Sequence, residues 1–385
     1  MKYYFIAGEP SGNLHAVHLM EAVRRQDADA VIRYWYRPEL AYMGFVSVVL
    51  HLPQIFRGMA DCKSDISAFA PDKLVLVDYP GFNLKMASWF WDKYIKGSAL
   101  VRKPQVVYYI PPKIWAWKEK RIEKIRRYVD VVLSILPFEV EWYRDNYGFH
   151  VDYVGNPTLD EISAFRSSLT RKDIEEWRNS LHLSEGTKVV ALMPGSRRQE
   201  IERNLPIMLR SAMEVDSDCT FVIAAAPNIG VEVYEKVMSG IMGGGMSVSS
   251  RIKIAPCDGC RSSFMLMHNA YAAIVTSGTA TLETAIMRVP QVVCYAMRCG
   301  KMFSFLRKIF LKVPYVSLVN LIVGESVVPE LVAGDLSQTR LNDALNDILT
   351  NSYCRELQLQ GYECLLGKLG NAGAPDRAAQ ILVDA

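Results

Sequence analysis

The chain has 385 residues, half of them hydrophobic and 22% charged, with a formal net charge of +3. That length accommodates two domains of ordinary size, and that composition excludes a disordered chain. The small net charge gives no global electrostatic case for nucleic acid, which is not expected as a partner. Basic residues cluster locally instead, as in KEKRIEKIRR at 118–127. Eight cysteines are scattered, with Cys257 and Cys260 the only close pair. One such pair without a histidine cluster does not make a zinc site, so no metal is expected and the thiols read as reduced. The start MKYYFIAGEP lacks an apolar stretch with a cleavage site, and no apolar run reaches bilayer length. A soluble protein, or one lying on a membrane without crossing it, is expected.

In chain order, KYYFIAGEPSGNLHAVHLMEAVRR reads as strand, small-residue turn and helix, the first βα unit of a doubly wound domain. KLVLVDYP, QVVYYIPP, DVVLSILP and HVDYVGNP follow as short strands, each closed by proline or a polar turn. Residues 158–184 are charged and helical, and VVALMPGSR then opens a fresh strand. CTFVIAAAP, SRIKIAPCDG, YAAIVTSGTA and PQVVCYAM complete a second set. The alternation predicts an α/β protein with two parallel sheets, each covered on both faces. The boundary falls between 156 and 186.

LVDYPGFNLK, 75–84, sets Asp78 where an apolar strand stops, fixed by a proline and a glycine. An acid there either closes a turn or does chemistry, since open α/β sheets place reactive groups at the carboxyl ends of strands. In VVALMPGSRRQEIERNLP a strand and a Pro-Gly turn lead into a helix at Gly195, Ser196 and Arg197. Free N–H groups and the dipole of a helix start attract phosphate, and Arg197 adds a forked cationic donor. AIVTSGTATLETA repeats the geometry with Ser277, Gly278 and Thr279, and Glu283 one turn later suits two vicinal ribose hydroxyls. Either turn alone is an ordinary capped helix. Together, with an arginine at one and an acid at the other, they fit a nucleoside diphosphate. GEPSGN has glycines at 8 and 12 only, which is not the G-x-G-x-x-G spacing of a dinucleotide site.

KMFSFLRKIFLK, 301–312, mixes Phe303, Phe305 and Phe310 with Arg307 and Lys308. A basic amphipathic helix of this kind suits an anionic membrane interface, or else turns its apolar face to the core. GFVSVVLHLPQIF, 44–56, is apolar on almost every side and reads as a core helix or a greasy acceptor channel. Trp115 and Trp117 are expected to pack in the core.

IAGEPSGNLHA, AYMGF, VDYPGFN, PPKIWAWKEKRI, ILPFE, VGNP, PGSRRQEI, SGTATLE and YVSLVNLIVG occur in that order. Together they closely resemble the lipid-A-disaccharide synthase family, in the form found in Bacteroidetes-like bacteria, over nearly the whole chain. The resemblance implies a GT-B glycosyltransferase, with two Rossmann-like doubly wound domains facing across a cleft. It implies an acceptor- and lipid-binding domain at 1–160, a UDP-sugar-binding domain at 161–350, and helices at 351–385 crossing back to the first. UDP-2,3-diacylglucosamine would donate its sugar, with inversion, to the 6-hydroxyl of 2,3-diacylglucosamine 1-phosphate (lipid X), without a cofactor.

On this resemblance Asp78 is the base that takes the acceptor proton, and Glu200 lies near the nucleotide. Ser11, Gly12, Asn83 and Asn320 line the cleft. Membrane contact at Phe303, Phe305, Arg307, Lys308 and Phe310 would hold a cytoplasmic enzyme on the inner membrane of a Gram-negative bacterium. A homodimer is compatible with it, while oligomeric state and acyl-chain length are not legible. The chain departs from the family pattern at Asn13, usually Asp, at Pro111, usually Ser, and in a shortened 26–44 region; Asn156 is the Bacteroidetes-type variant of a position often His. Two other readings stay open: an enzyme like UDP-N-acetylglucosamine 2-epimerase, and an inactive membrane-surface nucleotide binder.

Overall fold

A computed structural model describes the chain except residues 9, 38–50, 97–102, 216–217, 243–250, 258, 297–313 and 385. It forms two compact units, Met1–Pro157 with Asn371–Ala385, and Thr158–Gly370. The first runs β1 (Lys2–Ala7), α1 (Pro10–Gln26), β2 (Val31–Tyr36), α2 (Leu52–Phe69), β3 (Lys73–Val77) and α3 (Pro80–Phe90). It continues through β4 (Gln105–Tyr109), α4 (Ile122–Tyr128), β5 (Val131–Ser134), α5 (Pro137–Tyr147) and β6 (Asp152–Tyr153). These strands make one parallel sheet in the order β2-β1-β3-β4-β5-β6.

The second unit opens with α6 (Pro157–Ser168) and α7 (Arg171–Ser180), then β7 (Val189–Met193), α8 (Arg198–Glu214), β8 (Thr220–Ile223) and α9 (Val231–Met242). There follow β9 (Ile252–Ile254), α10 (Gly259–Asn269), β10 (Ala270–Thr276), α11 (Thr279–Ile286) and β11 (Gln291–Tyr295). It closes with α12 (Leu318–Val323), β12 (Glu330–Val332), α13 (Gln338–Thr350) and α14 (Ser352–Leu369). Its sheet is also parallel, in the order β12-β11-β10-β7-β8-β9.

Central strands such as KLVLV (β3) and VVALM (β7) are buried at every position. Helices on both faces remove the need for alternation, which is why apolar runs identify them. β2, VIRYWY, lies at a sheet edge and keeps polar residues exposed, so its run is interrupted.

α15 (Ala374–Asp384) returns to the first unit, where Ala378, Ala379 and Leu382 join a core with Leu19 and Val23 of α1. Buried Lys73 donates to the Leu382 carbonyl at 2.6 Å, and Arg377 donates to the Val154 carbonyl at 2.8 Å. The sequence assigns 351–385 to that return and ends the first domain at 160. In the structure α14 stays with the second unit, and only the segment from Asn371 goes back.

Beneath the PPKIWAW loop lies a polar knot in the first unit's interior. Glu139, on the first turn of α5, is 2% exposed and accepts the Trp115 indole N–H at 2.7 Å. It also accepts the hydroxyl of Ser134, the last residue of β5. Burial pushes its carboxyl up to about 7, against the pull of Ser134, Trp115 and the Lys113 cation. The folded pKa lies above the ordinary 4.5, so the native state keeps a proton that the unfolded chain releases. Stability present below the unfolded value is therefore lost as pH rises toward 7, by about 3 kcal/mol. Glu139→Gln keeps the acceptor for Trp115 but removes this titration. Thermal melts at pH 5 and pH 8 should show wild type losing stability relative to the variant at the higher pH. A difference independent of pH would show that Glu139 does not titrate in the folded chain.

Candidate functional site

Each unit has a topological switch point. In the first, the chain runs from β1 outward to β2, then returns to β1's other side as β3. In the second it runs from β7 through β8 to β9, then returns as β10 beside β7. Helices leave such neighbouring strands on opposite faces, which opens a crevice at their carboxyl ends. Asp78 follows β3, and Ser11 and Gly12 open the helix after β1. Gly195 to Arg197 follow β7, and Ser277 to Thr279 follow β10. The sequence-derived residues thus gather at two crevices, one in each unit.

At the first crevice Asp78 and Tyr79 both adopt left-handed backbone, with φ 47° and 46°. Such conformations cost an L-residue roughly 1–2 kcal/mol each and persist only where surroundings impose them. Here Asn83 donates from its side-chain amide to the Val77 and Asp78 carbonyls at 3.2 and 2.7 Å. Tyr108 adds its hydroxyl to the Asp78 carbonyl at 2.8 Å, and the Asp78 N–H donates to the Tyr109 carbonyl at 3.1 Å. Tyr79 swings over the end of β1, and a Cβ on Gly8 would stand 2.3 Å from its ring, so only glycine fits there. Tyr79 stacks on Phe82, which stacks on Trp35 of β2. Gly12 approaches from α1, where a Cβ would lie 3.7 Å from that of Asp78.

The Asp78 carboxyl is raised above its usual range by burial, while the Lys113 cation and the Tyr79 N–H pull it down. The result is a half-buried, pre-aimed carboxylate with elevated basicity. Asn83 does not line the crevice as expected. It is fully buried, and its amide fixes the backbone of Asp78.

At the second unit's first turn, Glu200 accepts the N–H groups of Ser196 and Arg197 at 3.1 and 3.3 Å. Its other oxygen accepts the Arg197 guanidinium at 3.0 Å. This carboxylate thus occupies the donors that the sequence reserves for phosphate. Gly195, at φ +124°, makes the arrangement fit, because a Cβ there would lie 2.6 Å from that of Glu200. The turn after β10 differs. Gly278 precedes α11 without any side-chain cap, and Gly278 and Thr279 are exposed. Ser277 donates to the Val316 carbonyl at 3.3 Å. Its uncapped N–H groups make α11 the better anion site of the two. One turn on, burial raises the Glu283 carboxyl to about 7, and Glu161 of α6 raises it further in the same direction. Glu161 is itself held up near about 7, by burial and by Asp160.

Asn320 is fully buried and spends its whole amide inside the loop. It donates to the Val328 carbonyl and to Glu330, both at 2.9 Å, and accepts the N–H groups of Val327 and Val328 at 2.9 Å. No capacity remains for a ligand, so the expected cleft role gives way to a loop-locking one. Asn13 accepts the Tyr34 hydroxyl at 2.5 Å, binding α1 to β2. Phe303, Phe305, Arg307, Lys308 and Phe310 lie outside the described residues, as do 44–50. Phe56, at the end of that second stretch, is 58% exposed and not a core residue. Trp115 is buried as expected, but Trp117 is 56% exposed. Among the described residues no group of three ligating side chains could hold a metal. Sequence reasoning does not point to Tyr108 or Lys113 around Asp78, because they come from β4 and the loop beyond it; Arg121, beside Tyr108, lies in the basic run 118–127.

Comparison with known proteins bears on the family and the fold. A family model described as lipid-A-disaccharide synthetase matches residues 3–368. A lipid-A-disaccharide synthase of Myxococcus xanthus is 33% identical, over 98% of this chain and 96% of its own. That of Nitrosococcus oceani is 32% identical, over 98% and 94%. Among solved structures, the UDP-GlcNAc 2-epimerase of Neisseria meningitidis bound to UDP-GlcNAc superposes with TM-score 0.64 at 12% identity, covering 100% of this chain and 99% of that one. The glycosyltransferase SnogD of Streptomyces nogalater gives 0.55 at 16% identity, with coverage of 100% and 99%. Identities so low speak to the shared fold alone. A match from residue 3 to 368 and a third of positions identical over nearly full length speak to more: the chain belongs to the lipid-A-disaccharide synthetase family and is a GT-B glycosyltransferase of lipid A biosynthesis.

Proposed function

We propose that the chain moves 2,3-diacylglucosamine from UDP-2,3-diacylglucosamine to the 6-hydroxyl of lipid X, inverting the anomeric centre. The observation that carries this is Asp78, a half-buried carboxylate held in strained backbone at a switch point. It takes the proton of the acceptor hydroxyl as that oxygen bonds to the anomeric carbon. The bond from that carbon to the diphosphate oxygen breaks, and UDP leaves with the electron pair. Rigid placement of the base matters here, because misplacing a reacting group by an ångström costs orders of magnitude in rate.

In the second unit the uncapped start of α11 receives diphosphate charge, supported by Arg197 once its guanidinium turns from Glu200 to phosphate. Glu283, one turn beyond, takes the ribose hydroxyls. Both substrates carry acyl chains, so the enzyme works from the cytoplasmic surface of the inner membrane, with the basic amphipathic stretch 301–312 as its contact. No helix among the described residues is long and apolar enough to cross a membrane.

Purified chain given both substrates should release UDP and form the β-1',6-linked disaccharide. Consumption of UDP-N-acetylglucosamine without any acceptor would favour the epimerase reading instead. Asp78→Asn should cut turnover by at least ~10²-fold with UDP affinity kept. The base must be ionised, so kcat/KM should rise with pH through the raised pKa of Asp78, above the ordinary 3.8. Lys113→Met should move that limb higher still, since Lys113 favours the charged form. An unmoved limb would detach it from Asp78.

Arg197→Ala should weaken UDP binding by ~10-fold, measured by calorimetry, as a charge-assisted contact is lost. Wild type should prefer UDP over 2'-deoxy- and 3'-deoxy-UDP, because a buried carboxyl left without its hydroxyl partner is costly. Glu283→Gln should lose most of that preference. Equal binding of ribose and deoxyribose forms by the wild type would leave Glu283 a purely structural residue.

A further inference from the structure

Beside Asp78, and outside the residues assigned so far, lies a groove of about 470 Å³. Its floor is the start of α3, with Pro80, Gly81 and Leu84, two to six residues beyond Asp78. Lys85, Lys118, Lys120, Arg121 and Lys124 line it, with Glu119 as the one acid. Glu119 also accepts the Tyr147 hydroxyl. None of the five cations forms an ion pair among the described residues.

Five like charges around one groove repel one another, and no core requirement explains them. A dianionic ligand relieves that repulsion and gains several charge-assisted hydrogen bonds at once. Arg121 is half-buried and neighbours Tyr108, whose hydroxyl holds the Asp78 carbonyl at 2.8 Å. The groove is thereby joined to the reactive carboxylate through one side chain as well as through Pro80 and Gly81. Two of these cations also lie near exposed aromatic rings, Lys85 5.6 Å from that of Phe56 and Lys118 4.2 Å from that of Trp117. Cations over aromatic rings, open to solvent, suit a ligand with a phosphate head and apolar chains.

We propose that this groove is the subsite for the phosphate monoester of the acceptor glycolipid, held by Arg121, Lys118 and Lys124. The inference rests on the transfer reaction above and adds the residues that choose a phosphorylated acceptor. Phosphate at the start of α3 anchors one end of the sugar, leaving its far hydroxyl to reach Asp78.

The test is equilibrium binding of lipid X, against dephosphorylated 2,3-diacylglucosamine, to the full chain in detergent micelles. Wild type should prefer the phosphorylated form by at least ~10-fold, as expected for charge-assisted contacts. Lys118→Gln with Lys124→Gln, both exposed positions, should lose most of that preference while UDP affinity stays unchanged. Arg121→Gln should do the same, its fold checked by circular dichroism. Equal binding of the two glycolipids by wild type overturns the proposal, as does a preference that survives the substitutions. Loss of binding to phosphatidylglycerol vesicles with the acceptor preference intact assigns the groove to membrane headgroups and also overturns it. A chain that discriminates the phosphate but forms no disaccharide supports the subsite and rejects the reaction.

Discussion

Two consecutive residues in left-handed backbone, Asp78 and Tyr79, set the terms for the first unit. Their strain, roughly 1–2 kcal/mol apiece, must be met by neighbours that no alternative conformation could use. Three side-chain hydrogen bonds converge on the carbonyls of Val77 and Asp78, at about 1 kcal/mol each. Gly8 yields the space that Tyr79 needs, and Phe82 and Trp35 extend the stack to the sheet edge. A turn that merely ended β3 would need none of this. The strain aims one carboxylate, and its supports come from β2, α3 and β4.

The second unit uses the same topology with the opposite electrostatics. Its switch point offers two helix starts side by side, since β7 and β10 are paired. The chain fills one of them with its own anion, because Glu200 caps Ser196 and Arg197. Only the other is left uncapped. On the proposed function the labour divides: the first start holds Arg197 in place, and the second offers N–H groups to an incoming diphosphate. Glu283 and Glu161, both raised toward about 7, place acidic groups nearby that burial keeps from full ionisation. A doubly charged acid pair would repel a diphosphate, so partial protonation and anion binding are compatible.

Much of this was legible in the sequence, for identifiable reasons. Runs such as KLVLV and VVALM have no polar interruption because both sheet faces are covered, and the turns that follow them carry the chemistry. β2 escaped because an edge strand keeps Arg33 and Tyr34 polar for contacts that lie elsewhere in the chain. Asn83 and Asn320 were found as positions but not as roles, since a motif does not show whether an amide points at ligand or at backbone. Both point at backbone. Glu139, Lys113 and Tyr108 were missed because their meaning lies in a meeting of β4, β5 and two loops, not in any spacing.

The surroundings of Asp78 act on it in opposite directions. Burial raises the carboxyl, which makes it a stronger base than a free, solvated carboxylate. Lys113 pulls it the other way. The same cation pulls down the buried Glu139, so the loop that carries Lys113 is tied to the interior at Trp115 while its charge serves the crevice. Beyond Lys113, the basic groove runs from the start of α3 to Arg121. On the proposed subsite, a dianion entering it would neutralise part of the positive field that reaches Asp78 and so raise the basicity of the carboxylate when the acceptor is present. On that reading the acceptor itself would strengthen the base that takes its proton.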